Sequence, residues 1–114
     1  MYSIVITEKA ESEYYDAYWY YEKAQPGLGL SFEHEADRSL KTIKKNPLLF
    51  QRKYKRYREA LLRRFPFFIV YEIIKDRIIV HSFFHTSRNP KKMYKQTVIT
   101  SSLNEPLEHY GKKK

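Results

Sequence analysis

The sequence contains no cysteine and only three glycines among its 114 residues. The lack of cysteine excludes a disulfide framework, a thiolate metal site and a cysteine nucleophile, and it fits a reducing compartment. With so few glycines, no glycine-rich phosphate loop is present. No apolar run reaches the about 20 residues that a membrane-spanning helix needs, and Glu8 and Glu11 stand where a signal peptide would be apolar. We therefore expect a cytoplasmic protein without a cofactor or a membrane contact.

Acidic residues are scarce in the second half of the chain. Residues 46–95 contain thirteen Lys/Arg and three Asp/Glu, whereas residues 1–45 contain six and eight. The net charge of +9 therefore belongs to one contiguous half. This asymmetry predicts a basic surface that binds an anionic partner, and the plainer alternative is a generally basic, well-solvated surface. The three acids, Glu59, Glu72 and Asp76, are too few to favour a carboxylate metal site, so no metal is expected.

The first 47 residues predict a strand followed by two helices. Residues 2–6 form a short β-rich run, and Thr7 is suited to cap the helix that follows. Apolar and aromatic residues then recur at helical spacing until Gln25-Pro26-Gly27 interrupts the pattern. A second amphipathic helix ends at Asn46-Pro47, because proline disfavours helical geometry in the preceding residue. The short connection between the helices predicts an antiparallel hairpin.

The next forty residues predict the sheet on which this hairpin packs. An edge strand over residues 50–54 and strands over 57–65, 67–74 and 77–84 are expected, with helix as an alternative for part of 56–64. Residues 67–74 are apolar almost throughout, as in a central strand buried on both faces. The fold class is therefore α+β: an N-terminal strand and a helical hairpin packed on a mostly antiparallel sheet of three to five strands. We expect one domain over residues 1–96 and a polar tail over 97–114, which either orders on a partner or stays disordered.

Two segments place cations beside aromatic rings. Residues 51–64 and 85–95 combine Lys or Arg with Tyr. A groove that binds single-stranded nucleic acid uses this combination, because the cations neutralise phosphates and the rings stack on bases. The alternative is a solvated strand edge with extended basic side chains. Because the first and third strands of a meander run the same way, we expect both segments to line one groove. The expected nucleic-acid contacts are Lys53, Lys55, Arg56, Arg58, Arg63, Lys91 and Lys92.

Such a groove contains residue types that could cleave RNA. Attack by a 2′-hydroxyl needs proton transfer and cations that face the pentavalent transition state. Histidine is the residue type suited to proton transfer near neutral pH, so His85 is a candidate, Arg64 and Arg88 could hold the phosphate, and Tyr94 could donate a proton or stack on a base. A histidine at the end of a strand is also commonly a structural hydrogen-bonding group. His81 stands four residues before His85, so a regular strand would place both on one face.

The order of these motifs resembles the RelE/ParE toxins of type II toxin–antitoxin systems, in their plasmid-stabilisation branch. The resemblance rests on residues 64–73, 77–80 and 85–90, on the start of the first helix and on Asn46-Pro47. It implies the α+β fold described above and a cognate antitoxin that neutralises the chain. RelE-like members cleave mRNA in the ribosomal A site, whereas ParE-like members poison DNA gyrase and are not nucleases.

The resemblance also assigns candidate roles. Arg64 looks like the RelE-type arginine that contacts the scissile phosphate, and Arg88 and Tyr94 match the spacing of a second arginine and a tyrosine. The pattern His85-x-x-Arg88 is equally familiar from ParE-like chains. Taken together, the catalytic candidates Arg64, His85, Arg88 and Tyr94 favour a metal-independent, ribosome-dependent mRNA endonuclease. A gyrase inhibitor without enzymatic activity is the main alternative, and a non-toxic RNA-binding relative is the third.

Overall fold

A mixed sheet with two helices packed on one of its faces forms the part of the chain that the structure, a computed structural model, describes: residues 1–89. Along the chain these elements are β1 (Ser3–Ile6), α1 (Glu8–Ala24), α2 (Leu28–Lys45), β2 (Arg52–Tyr54), β3 (Tyr57–Leu61), β4 (Phe67–Ile74) and β5 (Arg77–His85). The predicted α+β class is confirmed. Neither helix within these residues combines the length and the apolarity needed to cross a membrane.

The sheet has the strand order β1-β5-β4-β3-β2. β1 pairs in parallel with β5, and the other neighbours are antiparallel. β4 is central, as predicted from its continuous apolar run. β3 ends at Leu61 rather than at residue 65, because the chain turns back at this point and the Leu62 N–H donates to the Phe67 carbonyl at 2.9 Å. The helical alternative for this segment is wrong, since residues 58–61 pair with β4.

The helical hairpin begins and turns where local chemistry requires it. The Ala10 N–H donates to Thr7 Oγ1 at 3.1 Å, so Thr7 caps α1 as predicted. Gly27 between the helices has a φ of 91°, a conformation that favours glycine. A Cβ on Gly29 would lie 2.8 Å from the Tyr18 carbonyl oxygen, so glycine permits the close approach of the helices there. Glu22 accepts hydrogen bonds from the N–H groups of Gly27 and Gly29 and fixes the turn.

Aromatic rings fill the space between the hairpin and the sheet. Phe32 of α2 is fully buried, and its ring centroid lies within 5.6 Å of those of Tyr14, Tyr21, Phe65 and Phe67. Such offset and edge-to-face pairs add to the stabilisation from area burial. The buried core around these rings includes residues of both helices, of β3, β4 and β5, and of the loop after β3. It therefore fixes where the ends of those strands lie relative to the helices.

A second, smaller apolar cluster lies on the opposite face of the sheet, which we call the open face because neither α1 nor α2 packs on it. It contains Tyr57, Val70 and Phe84, with Phe68 packed beside them. Buried polar residues share this face. Glu72 and His81 are 1% and 2% exposed, and Glu72 Oε2 lies 2.7 Å from His81 Nε2.

Several sequence predictions fall outside the described residues. They are Lys91, Lys92 and Tyr94 as site residues, a short helix around residues 91–96, the domain boundary at 96 and the tail over 97–114.

Candidate functional site

Four of the predicted site residues lie together at one end of the sheet. The loop after β3 carries Arg63 and Arg64, and the end of β5 and the turn after it carry His85 and Arg88. The two segments are in contact, since the Thr86 N–H donates to the Pro66 carbonyl at 2.8 Å. We call this set of four residues the arginine end. Its assembly confirms the expectation that the ends of β3 and β5 meet at one edge.

The other predicted cations lie elsewhere. Arg52, Lys53, Lys55, Arg56 and Arg58 belong to the β2–β3 hairpin, which we call the basic hairpin. The tip of this hairpin, with Lys53, Lys55 and Arg56, precedes β3, whereas Arg63 and Arg64 follow β3. The five residues of β3 therefore separate the tip from Arg63 and Arg64 by about 17 Å. The prediction that both basic segments line one groove is wrong, because a strand has its two ends at opposite edges of the sheet.

Glu13 of α1 holds Arg88. Its Oε2 lies 3.2 Å from Arg88 Nη1, while its Oε1 accepts hydrogen bonds from the Ser82 hydroxyl at 2.8 Å and the Phe83 N–H at 3.0 Å. Lys9 also donates to Oε2. The Arg88 guanidinium lies 4.3 Å above the Phe84 ring. One carboxylate thus ties α1 to β5 and fixes the arginine at the same time.

Glu35 of α2 holds the loop after β3, which carries Arg63 and Arg64, in a similar way. Its Oε2 accepts a hydrogen bond from the Arg63 N–H at 2.8 Å, and its Oε1 lies 3.5 Å from Arg64 Nε. Burial of this carboxyl would raise its pKa, but the hydrogen bonds from Arg63 and Arg64 and the arginine charge outweigh burial, so the pKa lies below its ordinary value. Each arginine loop is therefore held by one glutamate of a helix that also accepts a hydrogen bond from a backbone N–H.

These two acids were not identified from the sequence, although a signal was present. Glu13 stands three residues after the buried Ala10, and Glu35 stands three residues after the buried Phe32. At helical spacing, both lie at the margin of the apolar stripe rather than on the solvent side. An acid at that position is often a solvated neighbour of the core, so the pattern alone does not reveal its partner.

His85 has a defined hydrogen-bonding state. Its Nδ1 accepts from the Ser87 N–H at 3.0 Å and lies 2.7 Å from the Ser87 hydroxyl, and its ring packs edge-on against Phe67. A ring nitrogen that accepts a hydrogen bond is unprotonated, so in the neutral ring the proton is on Nε2. In this state the Nε2–H of His85 can donate a hydrogen bond, while Nδ1 is already occupied by Ser87. The geometry fits a hydrogen-bonding group and does not supply a general base.

His81 does not share a face with His85, contrary to the expectation from a regular strand. The pairing of β4 with β5 shifts register between Val70 and Tyr71, so β5 contains one extra residue at this point. Such a bulge reverses the alternation of side chains beyond it. His81 therefore lies on the open face beside Glu72 and Tyr57, while His85 lies toward the helices.

A cleft of about 450 Å³ lies between α1 and the arginine end. Its polar lining includes two acids, Glu13 and Asp16, opposite His85 and Arg88, with Tyr20 at the side. A phosphate placed in this cleft would face two carboxylates as well as one guanidinium. The arrangement suits polar or basic protein side chains better than a nucleic-acid backbone.

Loss of the Glu35 charge gives a testable prediction. We expect Glu35→Gln to lower the free energy of unfolding at pH 7 by about 1–2 kcal/mol, because the Arg63 N–H and the Arg64 guanidinium both lose a charged acceptor. The pKa of Glu35 is lower in the folded chain than in the unfolded one, so the wild-type advantage exists above the unfolded value and disappears as pH falls through the folded value. Urea unfolding at pH 7 and pH 3 measures this. Glu33→Gln, on the same helix, is the control, and an equal loss at both pH values would contradict the prediction.

Comparison with known proteins agrees with this architecture. A search of curated proteins gave no match. Among solved structures, a chain described as the chromosomal ParDE TA system from P. aeruginosa superposes with a TM-score of 0.69 at 18% identity, covering 76% of this chain and 98% of that one. At that identity the likeness concerns the fold. Residues 4–90 match the family model described as ParE toxin of type II toxin–antitoxin system, parDE. Membership of such a module implies a cognate antitoxin as partner. The chain belongs to the ParE toxins of type II toxin–antitoxin systems.

Proposed function

We propose that this toxin arrests growth in the cytoplasm by inhibiting DNA gyrase through a binding surface, without cleaving nucleic acid. The sequence alone favoured mRNA cleavage, on the strength of Arg64, His85 and Arg88. ParE-like toxins poison gyrase, and the family match is to ParE. The geometry of the arginine end supports the same preference.

The observation that carries the proposal is the pairing of the two arginines with helix acids. Arg88 lies against Glu13 and Arg64 against Glu35, so neither guanidinium is positioned to stabilise a developing phosphorane charge without first leaving its carboxylate. A preorganised site for phosphate cleavage holds its cations toward the transition state. His85 also presents no vacant basic nitrogen in this geometry. The arrangement supports a structural role for these residues at a protein-binding surface.

The basic hairpin is the surface that we assign to the anionic component of the target. Lys53, Lys55 and Arg56 are exposed at its tip, and the Tyr54 and Tyr57 rings stack at 6.5 Å with an interplanar angle of 7°. Lys55 Nζ lies 5.5 Å from the Tyr54 ring centroid. Exposed cations beside rings suit DNA held by gyrase, and they would also suit an acidic antitoxin that competes for the same surface.

Purified gyrase and a translation extract separate the two mechanisms. With the toxin added, we expect supercoiling to fall and cleaved DNA to accumulate, while translation continues and the mRNA stays intact at the ribosomal A site. Mixing in the cognate antitoxin should restore supercoiling. Translation arrest with A-site cuts and unaffected gyrase would overturn the proposal and establish the mRNA endonuclease instead.

Charge reversal tests the basic hairpin. We expect Lys53→Glu with Lys55→Glu to raise the toxin concentration needed to inhibit supercoiling by about tenfold or more, because contacts to phosphates dominate affinity for DNA. The matched control is Lys44→Glu with Lys45→Glu, which makes the same charge change on exposed residues at the end of α2. Inhibition curves at two salt concentrations measure both variants. Equal weakening by the two pairs would mean that only net charge matters and would remove the hairpin from the contact surface.

A further inference from the structure

The tight turns that join β2 to β3 and β4 to β5 share a backbone feature. Among residues 1–89, Lys55 and Lys75 are the two non-glycine residues with a positive φ, of 51° and 57°. Hairpin turns of this conformation favour glycine, asparagine or aspartate, because a longer side chain is strained there. The same cation occupies both tips although the backbone is strained, which indicates a function for its side chain.

Both tips lie at the end of the sheet opposite the arginine end. Arg58 lies opposite Tyr71 in the antiparallel register of β3 and β4. Counting back along β3 brings Lys55 about level with Ile74, the last residue of β4, and Lys75 follows in the turn to β5. In the strand order β1-β5-β4-β3-β2, the centres of the two hairpins are two strand spacings apart, about 10 Å.

Contacts beside each turn hold the two tips in place. At the β2–β3 tip, Arg56 Nε lies 3.0 Å from Oε1 of the buried Glu72. At the β4–β5 tip, the Ser3 N–H donates to the Asp76 carbonyl at 3.0 Å. Four exposed cations, which we call the two-tip surface, flank the turns: Lys53, Lys55, Lys75 and Arg77. Asp76 is the one acid within residues 52–56 and 75–77, so both tips present positive charge on a fixed frame.

The rings beside the first tip favour contacts to a phosphate backbone over stacking on bases. Tyr57 is 1% exposed, and Tyr54 stacks on it with an interplanar angle of 7°. Because these rings pack on each other, little ring surface remains for the bases of a single strand. The major groove of a DNA duplex is about 12 Å wide and has a line of phosphates along each side. Two cationic tips about 10 Å apart match these two lines.

We propose that the two-tip surface binds the backbone of double-stranded DNA, with one tip on each side of the major groove. The β4–β5 turn thus provides a second DNA contact beside the basic hairpin. Phosphate contacts fix position without reading the sequence, so this binding is independent of base sequence. The inference rests on the proposed gyrase target for its setting, but the binding itself requires no gyrase.

The salt dependence of binding counts the phosphate contacts. For duplex DNA, the slope of log K against log salt concentration is about −0.9 per neutralised phosphate. Anisotropy of a short fluorescent duplex of mixed sequence measures binding of the purified toxin. Lys75→Asn with Arg77→Gln removes two cations, and asparagine tolerates the positive φ at position 75. The matched control, Lys23→Gln with Arg38→Gln, removes one lysine and one arginine from exposed positions on the two helices.

We expect Lys75→Asn with Arg77→Gln to make the slope less steep by about 1.8 and to weaken binding at least about tenfold at about 0.1 M salt. The helix control should change the slope by less than about 0.5. Lys53→Gln with Lys55→Asn, at the other tip, should match the change at the first, and all four substitutions together should double it. An unchanged slope for the β4–β5 variant, or tighter binding of the corresponding single strand, overturns the proposal.

Supercoiling assays with the same variants distinguish a failure of this inference from a failure of the proposed function. If the β4–β5 variant inhibits gyrase as the wild type does and binds the duplex with an unchanged slope, the two-tip surface is wrong and gyrase inhibition stands. If the wild type binds the duplex through both tips but leaves supercoiling unaffected, gyrase inhibition is wrong and the two-tip surface stands.

Discussion

Replacing Glu72 with alanine is expected to destabilise the folded chain by about 3–5 kcal/mol, because it removes one member of a buried polar pair. Glu72 Oε2 lies 2.7 Å from His81 Nε2, Arg56 Nε lies 3.0 Å from Oε1, and both Glu72 and His81 are nearly fully buried. The variant leaves His81 buried beside a cavity. Since a domain is stable by only about 5–15 kcal/mol, this loss is a large share of the total. Urea unfolding followed by circular dichroism measures it.

A double replacement distinguishes the stability contributed by the polar pair from the stability contributed by filling the same buried volume. Glu72→Leu with His81→Leu should recover most of the stability, because well-packed apolar residues often replace a buried pair at little cost. Arg56→Ala, whose side chain is 61% exposed, should cost less than about 1 kcal/mol. If Glu72→Ala cost no more than Arg56→Ala, the buried pair would not contribute as inferred here.

Replacing Glu13 with alanine is expected to have the second largest effect, a loss of about 3 kcal/mol, since two buried donors lose their acceptor. The Phe83 N–H and the Ser82 hydroxyl both donate to Oε1. β1 pairs with β5 only as far as Val80, so the side chain of Glu13 takes the place of a neighbouring strand beyond that point. The substitution removes the acceptor of these two hydrogen bonds, and it also breaks the ion pair with Arg88.

The solvent-side partners of Glu13 provide the controls. Arg88→Ala and Lys9→Ala each remove an ion pair to Oε2 and leave the two buried donors satisfied. Each should cost about 1 kcal/mol or less, although Arg88→Ala also removes the stacking on Phe84. A loss for Glu13→Ala no larger than for these two variants would show that the ion pairs, and not the backbone contact, join α1 to β5.

Much of this architecture was predictable because local chemistry and distant packing agree. The apolar run of β4 predicts a central strand, Thr7 caps α1 as its side chain suggests, and Asn46-Pro47 ends α2. In each case a backbone preference and a burial pattern favour the same structure. The resemblance to RelE/ParE toxins likewise identified the correct superfamily, and the sheet topology brought Arg64 and Arg88 to one end as expected.

The remaining features depend on contacts between residues far apart in the sequence. Glu13 binds Phe83 and Arg88 seventy or more positions away, and Glu35 binds Arg63 across 28 positions. A bulge of one residue in β5 reverses the face of His81, and a single sequence gives no periodic signal for it. In the sequence the cations of the basic hairpin form one run with Arg63 and Arg64, but β3 places the tip of the hairpin and these two arginines at its opposite ends.

The parallel pairing of β1 with β5 determines the order in which a newly made chain can fold. Ser3 faces Arg77, so β1 has no partner until β5, the last strand within residues 1–89, has been synthesised. The helical hairpin is local and can form early, whereas closure of the sheet waits for a contact across more than seventy residues. A prematurely ended chain would keep β1 as an unpaired edge prone to association. The toxin therefore acquires its complete fold only after almost the whole domain has been translated.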